Sequence, residues 1–162
     1  MTLSLKKEKM VEFLEGHKAQ GETFSCMLWG TVFADEAYFQ NWGLVSRIMF
    51  SQNAAGISGS PNTAFCYIGL TEQSLYVVAV DTNDTSKITA VFTVPFADVS
   101  FLSIKKALMG SQIIDIGCAG FTEEAMRLTI KGTSVGTNIK DQKERMQAFI
   151  TAMEALKSRL AL

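Results

Sequence analysis

The sequence predicts a mainly β domain: a curled antiparallel sheet or partly open barrel of about seven strands, with a C-terminal capping helix and an additional N-terminal helix. Three observations lead there. Between Ala64 and Lys131 apolar residues alternate in short runs separated by polar turns, which is the period of strands. After Asp141 the period changes to three and four, and one apolar stripe runs almost to the last residue. The spacers between the strand-like runs are too short for crossover helices, so neighbouring strands are expected to pair antiparallel. With 162 residues, 48% of them apolar, the chain has enough for one domain that buries roughly 70% of its unfolded surface.

The first element is a helix from Ser4 to His17, with Leu5, Lys9 or Met10, Phe13 and Leu14 near helical spacing and Gly16 or Gly21 to close it. Residues 1–21 are read as part of the same domain as residues 22–162. Residues 22–33 read as the first strand, with Phe24, Cys26, Leu28 and Val32 on one face and Met27, Trp29 and Phe33 on the other. A strand apolar on both faces needs cover on both.

Residues 34–62 form an irregular apolar insert. Tyr38, Phe39 and Trp42 fit a helix starting near Asp35, residues 44–50 fit a strand, and AAGISGSPN at 54–62 is a loop. Such an insert completes the core, forms a self-association surface or walls a ligand cavity.

Residues 64–70 and 75–80 are strands joined by a Thr-Glu-Gln-Ser turn, and DTNDTS at 81–86 turns the chain into KITAVFTV at 87–94. There Ile88, Ala90, Phe92 and Val94 point one way and Thr89 and Thr93 the other, which gives that strand a wettable side. Pro95 marks a corner into a strand at Val99–Ile104, because proline cannot donate to a ladder. KKALMGSQ at 105–112 turns the chain, Ile113, Ile114 and Ile116 form the next strand, and GCAGFTEE at 117–124 is a loop. MRLTIK at 126–131 is the last strand, with Met126, Leu128 and Ile130 inward. In the closing helix Asp141 is the expected N-cap and Glu144 its capping-box relative. Met146, Phe149, Ile150, Met153, Leu156 and Leu160 form its stripe, and Lys157 and Arg159 suit its negative end.

This order of strands and helix resembles the pleckstrin-homology-like (PH-like) domain, and the bacterial PH-like families above all. YIGLTEQSLYVVAV around Gly69, Leu70 and Thr71, VPFADVSFLSIKK from Pro95 to Val99, and IKDQKERMQAFITAMEAL at the end carry the likeness. It covers residues 63–160, with 22–33 as the first strand. The resemblance implies binding of phosphoinositides, peptides or other proteins. A phosphoinositide reader gathers Lys and Arg near the loop joining the first two strands, to meet phosphates with charge-assisted hydrogen bonds. Here that stretch is the insert, and its only basic residue is Arg47.

Net charge is −1 and unevenly laid out: residues 19–86 hold one basic residue against six acids, and residues 87–162 ten against seven. Neither half has the dense basic patch that nucleic acid requires. No apolar run spans a membrane and the first residues do not read as a secretory signal, so a cytoplasmic protein is expected. Cys26, Cys66 and Cys118 lie far apart in apolar runs, which suggests buried, reduced thiols. The sole histidine, His17, reads as a helix-end residue, and Asp115 as a solvent-facing residue or the partner of a cross-strand lysine. GTSVG at 132–136 lacks the Gly-Lys-Ser/Thr ending of a phosphate loop. No catalytic residue, metal site or cofactor is therefore expected.

The expected function is a non-catalytic binding or assembly module acting through protein contacts, including self-association. The alternative is binding of a small apolar ligand or an anionic lipid headgroup; an enzyme is the least favoured class. The candidate interface is Trp29, Phe33, Tyr38, Phe39, Trp42, Ile48, Met49 and Phe50, residue types that anchor interfaces when exposed. A second copy of the chain or another protein is the expected partner. Lys105 and Lys106, beside Leu108 and Met109, read either as a plain solvated hairpin or as a weaker candidate contact for an anionic partner or membrane surface.

Overall fold

A computed structural model describes residues 5–34, 49–50, 63–81, 83–118, 126–133 and 137–162. Among these, helix α1 (Lys7–His17) is followed by strands β1 (Cys26–Ala34), β2 (Met49–Phe50), β3 (Thr63–Leu70), β4 (Ser74–Val80), β5 (Ile88–Pro95), β6 (Val99–Lys106), β7 (Gln112–Cys118) and β8 (Met126–Ile130), then helix α2 (Gln142–Arg159). The strands form one curled sheet in the order β2-β5-β4-β3-β1-β8-β7-β6, with every pairing antiparallel. Seven strands are five to nine residues long, as the alternation requires. The two-residue β2 is an eighth, lying within the insert and pairing Met49 with Val91.

Both faces of the sheet are covered, and each helix takes one. On the inner face Leu28, Cys66, Ile68, Val77, Phe92 and Leu128 pack with Met146, Phe149, Met153 and Leu156 of α2. This is the predicted stripe, with Ile150 and Leu160 half-buried at its margin. On the outer face Trp29, Tyr67, Tyr76 and Val78 pack with Met10, Phe13 and Leu14 of α1. Residues on alternate sides of one strand therefore serve two cores, and β4 is buried at every position.

Two tyrosines on the outer face fix α1 at both ends. The Lys6 N–H donates to the Tyr67 hydroxyl (3.1 Å) and the Ala19 N–H to that of Tyr76 (3.0 Å). The Tyr76 hydroxyl donates in turn to Glu22 (3.0 Å), which also accepts from Thr71. Each tyrosine thus buries its ring and still accepts from a backbone N–H: Tyr67 from the donor that the helix leaves open at its N-cap, Tyr76 from the chain just past the helix C-terminus. Leu5 precedes the helix and bridges to Thr137, and the Lys7 N–H donates to Asn138 (2.6 Å).

The β1–β8 seam is closed by a side chain. Their ladder runs from Ala34 to Thr31 and stops there. Just beyond it the fully buried Gln142 inserts its amide: Nε2 donates to the carbonyls of Trp29 (2.8 Å) and Lys131 (3.0 Å), and Oε1 accepts from the Trp29 N–H (3.4 Å). One turn on, Arg145 donates to the Met27 carbonyl (3.0 Å). Gly30 sits at the crossing, where a Cβ would come within 2.7 Å of the Thr129 carbonyl oxygen.

Three expectations are corrected. Thr89 and Thr93 are buried rather than wet. Thr93 lies opposite Tyr76, whose ring Phe24 covers, and Thr89 is skipped by a bulge that pairs Val80 with Ile88 and turns Ile88 toward the outer core. Asp141 makes no side-chain cap; its carboxylate accepts from Arg145 (2.7 Å). The first helix begins at Lys7, and Leu5 is used as a bridge.

Gln142→Met keeps the length of the side chain but leaves the Trp29 N–H and two carbonyls without partners, at about 1–3 kcal/mol for a buried unpaired group. The expected loss, read from urea denaturation, is about 2–4 kcal/mol with an unchanged m-value.

Candidate functional site

The structure separates the sequence candidates. Trp29 is 3% exposed, its ring beside Phe65, and among the described residues its Nε1 has no hydrogen-bond partner. It belongs to the outer core under α1 and is not available to a partner, which corrects its place in the candidate interface. Phe33 is 48% exposed, next to Arg127 in the sheet. Tyr38, Phe39, Trp42 and Ile48 lie outside the described residues, as does most of the 34–62 insert, and Met49 and Phe50 are described only as the backbone of β2.

Lys105 and Lys106 end β6, paired with Ile113 and Gln112. The hairpin they enter is short and tight. The Ala107 N–H donates to the Ser111 carbonyl (2.8 Å), and a single 3-10 turn, Leu108–Gly110, fills the tip. Met109 and Gly110 are both left-handed, with φ of 59° and 78°. Leu108 is 88% exposed and Met109 101%. A left-handed conformation costs a non-glycine residue roughly 1–2 kcal/mol, and full exposure returns none of that through packing.

Two further lysines meet this tip. In register, Gln112 opposes Ile130, so Lys131 lies level with Ser111 beside the hairpin. Lys143, in the first turn of α2, joins it across Gly132, where the absent side chain leaves room for Met146. Together these residues and Leu108 and Met109 line an open groove of about 800 Å³. No carboxylate is among its described lining residues. Among the described residues Lys9, Lys18, Lys87, Arg127 and Arg145 make ion pairs, and Lys105, Lys106, Lys131 and Lys143 make none, as is also true of Lys6, Lys7, Lys140, Lys157 and Arg159. Sequence reasoning found the hairpin but missed Lys131 and Lys143: one ended a strand, the other sat on the polar face of a helix, and only the fold unites them.

The titratable groups weighed for chemistry are engaged in the fold. His17 Nδ1–H donates to the Phe13 carbonyl (2.9 Å), closing α1. Asp115 faces no solvent, contrary to expectation. It is 3% exposed and held in a two-pronged pair by Arg127 of β8, at 2.7 and 3.1 Å. The partner is thus an arginine rather than the expected lysine. Among the described residues, no three His, Cys, Asp or Glu side chains gather as a metal site would need. Burial pushes the Cys26 thiol up to about 11, with Arg145 opposing, and the Cys118 thiol up to about 12, with Asp98 adding to the effect. Burial raises Cys66 further still. Between them, Leu75, Val94, Met153 and Leu156 and their neighbours leave a void of only about 10 Å³ in the inner core, no more than a water occupies.

No protein-family model matches the sequence, and no curated protein matches it. Among solved structures the chain is similar to the hSac2 domain from human phosphoinositide phosphatase Sac2, at 11% identity and a TM-score of 0.48, over 95% of this chain and 84% of that one. A likeness at that level says nothing about what this chain binds. Among the described residues no helix is long and apolar enough to cross a membrane.

Three outcomes are expected. Arg127→Ala strands a buried carboxylate and should cost about 2–4 kcal/mol, whereas Asp115→Ala leaves a half-exposed guanidinium that water can reach and should cost less. Urea denaturation of both variants checks that order. The raised thiols make stability full below the unfolded thiol range near 9, with loss setting in as pH rises from there through 11 to 12. Near pH 8 a disulfide reagent should label half-buried Cys26 first, and Cys66 and Cys118 only on unfolding.

Proposed function

We propose that this chain is a non-catalytic binding module of PH-like type, and that its working surface is the β6–β7 hairpin with the groove beside it. The observation that carries the reading is the tip. Leu108 and Met109 stand almost wholly in water, and Met109 does so in a backbone conformation that glycine would adopt at lower cost. Residues held against the stability of a fold are those a function retains. The non-catalytic part is supported by the engagement of His17 and Asp115 in structural hydrogen bonds and by the raised thiols. The strand order and the covering helix support the PH-like comparison. Self-association through an aromatic surface is a second reading, and Phe33 is its support among the described side chains.

The Leu108→Ser, Met109→Gly double variant tests the reading. If the tip serves binding, the variant should be as stable as the wild type, or more stable by up to about 1 kcal/mol as left-handed strain is relieved. Retention on a phenyl matrix should also fall. A loss above about 1 kcal/mol in urea would make the tip a structural element instead.

A further inference from the structure

We propose that the β6–β7 hairpin docks the chain on an anionic lipid bilayer, with Leu108 and Met109 entering the interface and Lys105, Lys106, Lys131 and Lys143 meeting the headgroups. This rests on the reading of the hairpin as the binding surface, and names what it binds.

Shape comes first. The apolar pair sits at the apex of a protruding turn, with Met109 fully exposed. A protein partner would need a preformed pocket of matching depth to take such a wedge, whereas a bilayer interface yields to a convex apolar tip of any outline. The tip is also preorganised, since the Ala107–Ser111 and Ser111–Leu108 hydrogen bonds close it behind the two side chains.

Charge comes second. Four cations surround the tip from three elements: Lys105 and Lys106 at the end of β6, Lys131 after β8, and Lys143 in α2. Successive strand residues point to opposite sides, so Lys105 and Lys106 flank the hairpin on both faces. These lysines carry no ion pair among the described residues, and no described carboxylate lines the groove that Lys131 and Lys143 border. In a chain of net charge −1, this is a local departure that complements a negative surface. Long lysine stems let the apolar tip sink while the ammonium groups stay at the headgroup level.

Magnitude sets the kind of binding. Two inserted side chains are fewer than a single acyl chain supplies, and one acyl chain alone anchors only marginally. The lysines are the second signal, each worth about a fivefold gain in partitioning to an anionic surface. Adsorption is therefore expected to be reversible and dependent on anionic lipid and on salt.

The test is co-sedimentation of the full chain with vesicles of phosphatidylcholine alone, or with about 30% phosphatidylserine, at low and high salt. Expected is binding to the phosphatidylserine vesicles only, lost near 0.5 M salt, where screening is nearly complete. Lys131→Glu with Lys143→Glu should weaken it by about 25-fold or more, and Leu108→Ser with Met109→Gly by about tenfold or more. Equal binding to neutral vesicles overturns the proposal, as does binding that ignores the Leu108 and Met109 changes, which would be charge adsorption without insertion. No binding to phosphatidylserine vesicles by a wild type whose double tip variant keeps its stability overturns the bilayer but leaves the hairpin as a binding surface. Loss of stability in that variant overturns both.

Discussion

The fold depends on one strand having to satisfy two edges and two faces at once. β1 lies in the middle of the sheet, apolar on both sides, and its ladder to β8 ends after four residues. Beyond Thr31 the strands separate, and a buried backbone with an open edge would cost about 1–3 kcal/mol for each unpaired group. Gln142 removes most of that cost, because a primary amide carries a donor and an acceptor in the spacing of a peptide group. It stands in for a strand at the place where the sheet parts. The same contact sets α2 across the inner face, so that Met146, Phe149, Met153 and Leu156 meet the core from one fixed starting point.

The outer face answers the same demand by different means. Tyr67 and Tyr76 are among the largest fully buried side chains, and burying a hydroxyl without a partner is unfavourable. Tyr67 receives the Lys6 N–H at the N-cap of α1 and Tyr76 the Ala19 N–H just past its C-terminus, so polar satisfaction of the sheet also ties down both ends of the helix. Helix α1 makes no side-chain hydrogen bond at its own N-cap, Lys6, and takes its N-terminal definition from tertiary contacts.

Much of this was legible in the sequence. Alternation located β3 to β8 within a residue or two, because those strands bury one face each in a regular way or both faces continuously. The stripe of α2 was equally plain. What escaped was set by partners distant in sequence. Gln142 looks like a polar helix residue until the seam it closes is known, and Asp115 looks solvent-facing until Arg127 is placed opposite it. The bulge at Val80, which skips Thr89, leaves no mark in a period-two pattern. For the candidate site the legible part was Lys105, Lys106, Leu108 and Met109, contiguous in the chain. Lys131 and Lys143 come from other elements, and the left-handed φ of Met109 has no signature in its residue type.

The placement of the hairpin explains how such a tip can be kept. Its strands β6 and β7 are registered through seven pairs, and β7 is fixed in turn by β8, so the turn at its end inherits a rigid base. The left-handed Met109 stands in the turn beyond the last ladder pair, Lys106 with Gln112. The seam residues Lys131 and Gln142 sit close by in sequence to the groove residues Gly132 and Lys143. The contact that closes the sheet therefore also holds two of the four lysines in position. A chain that must close β1 against β8 with a helix side chain brings the first turn of that helix, and Lys143 with it, to the side of the hairpin. The basic collar is in this sense a consequence of how the sheet is closed, while the exposed apolar pair is not, since nothing in the fold requires it.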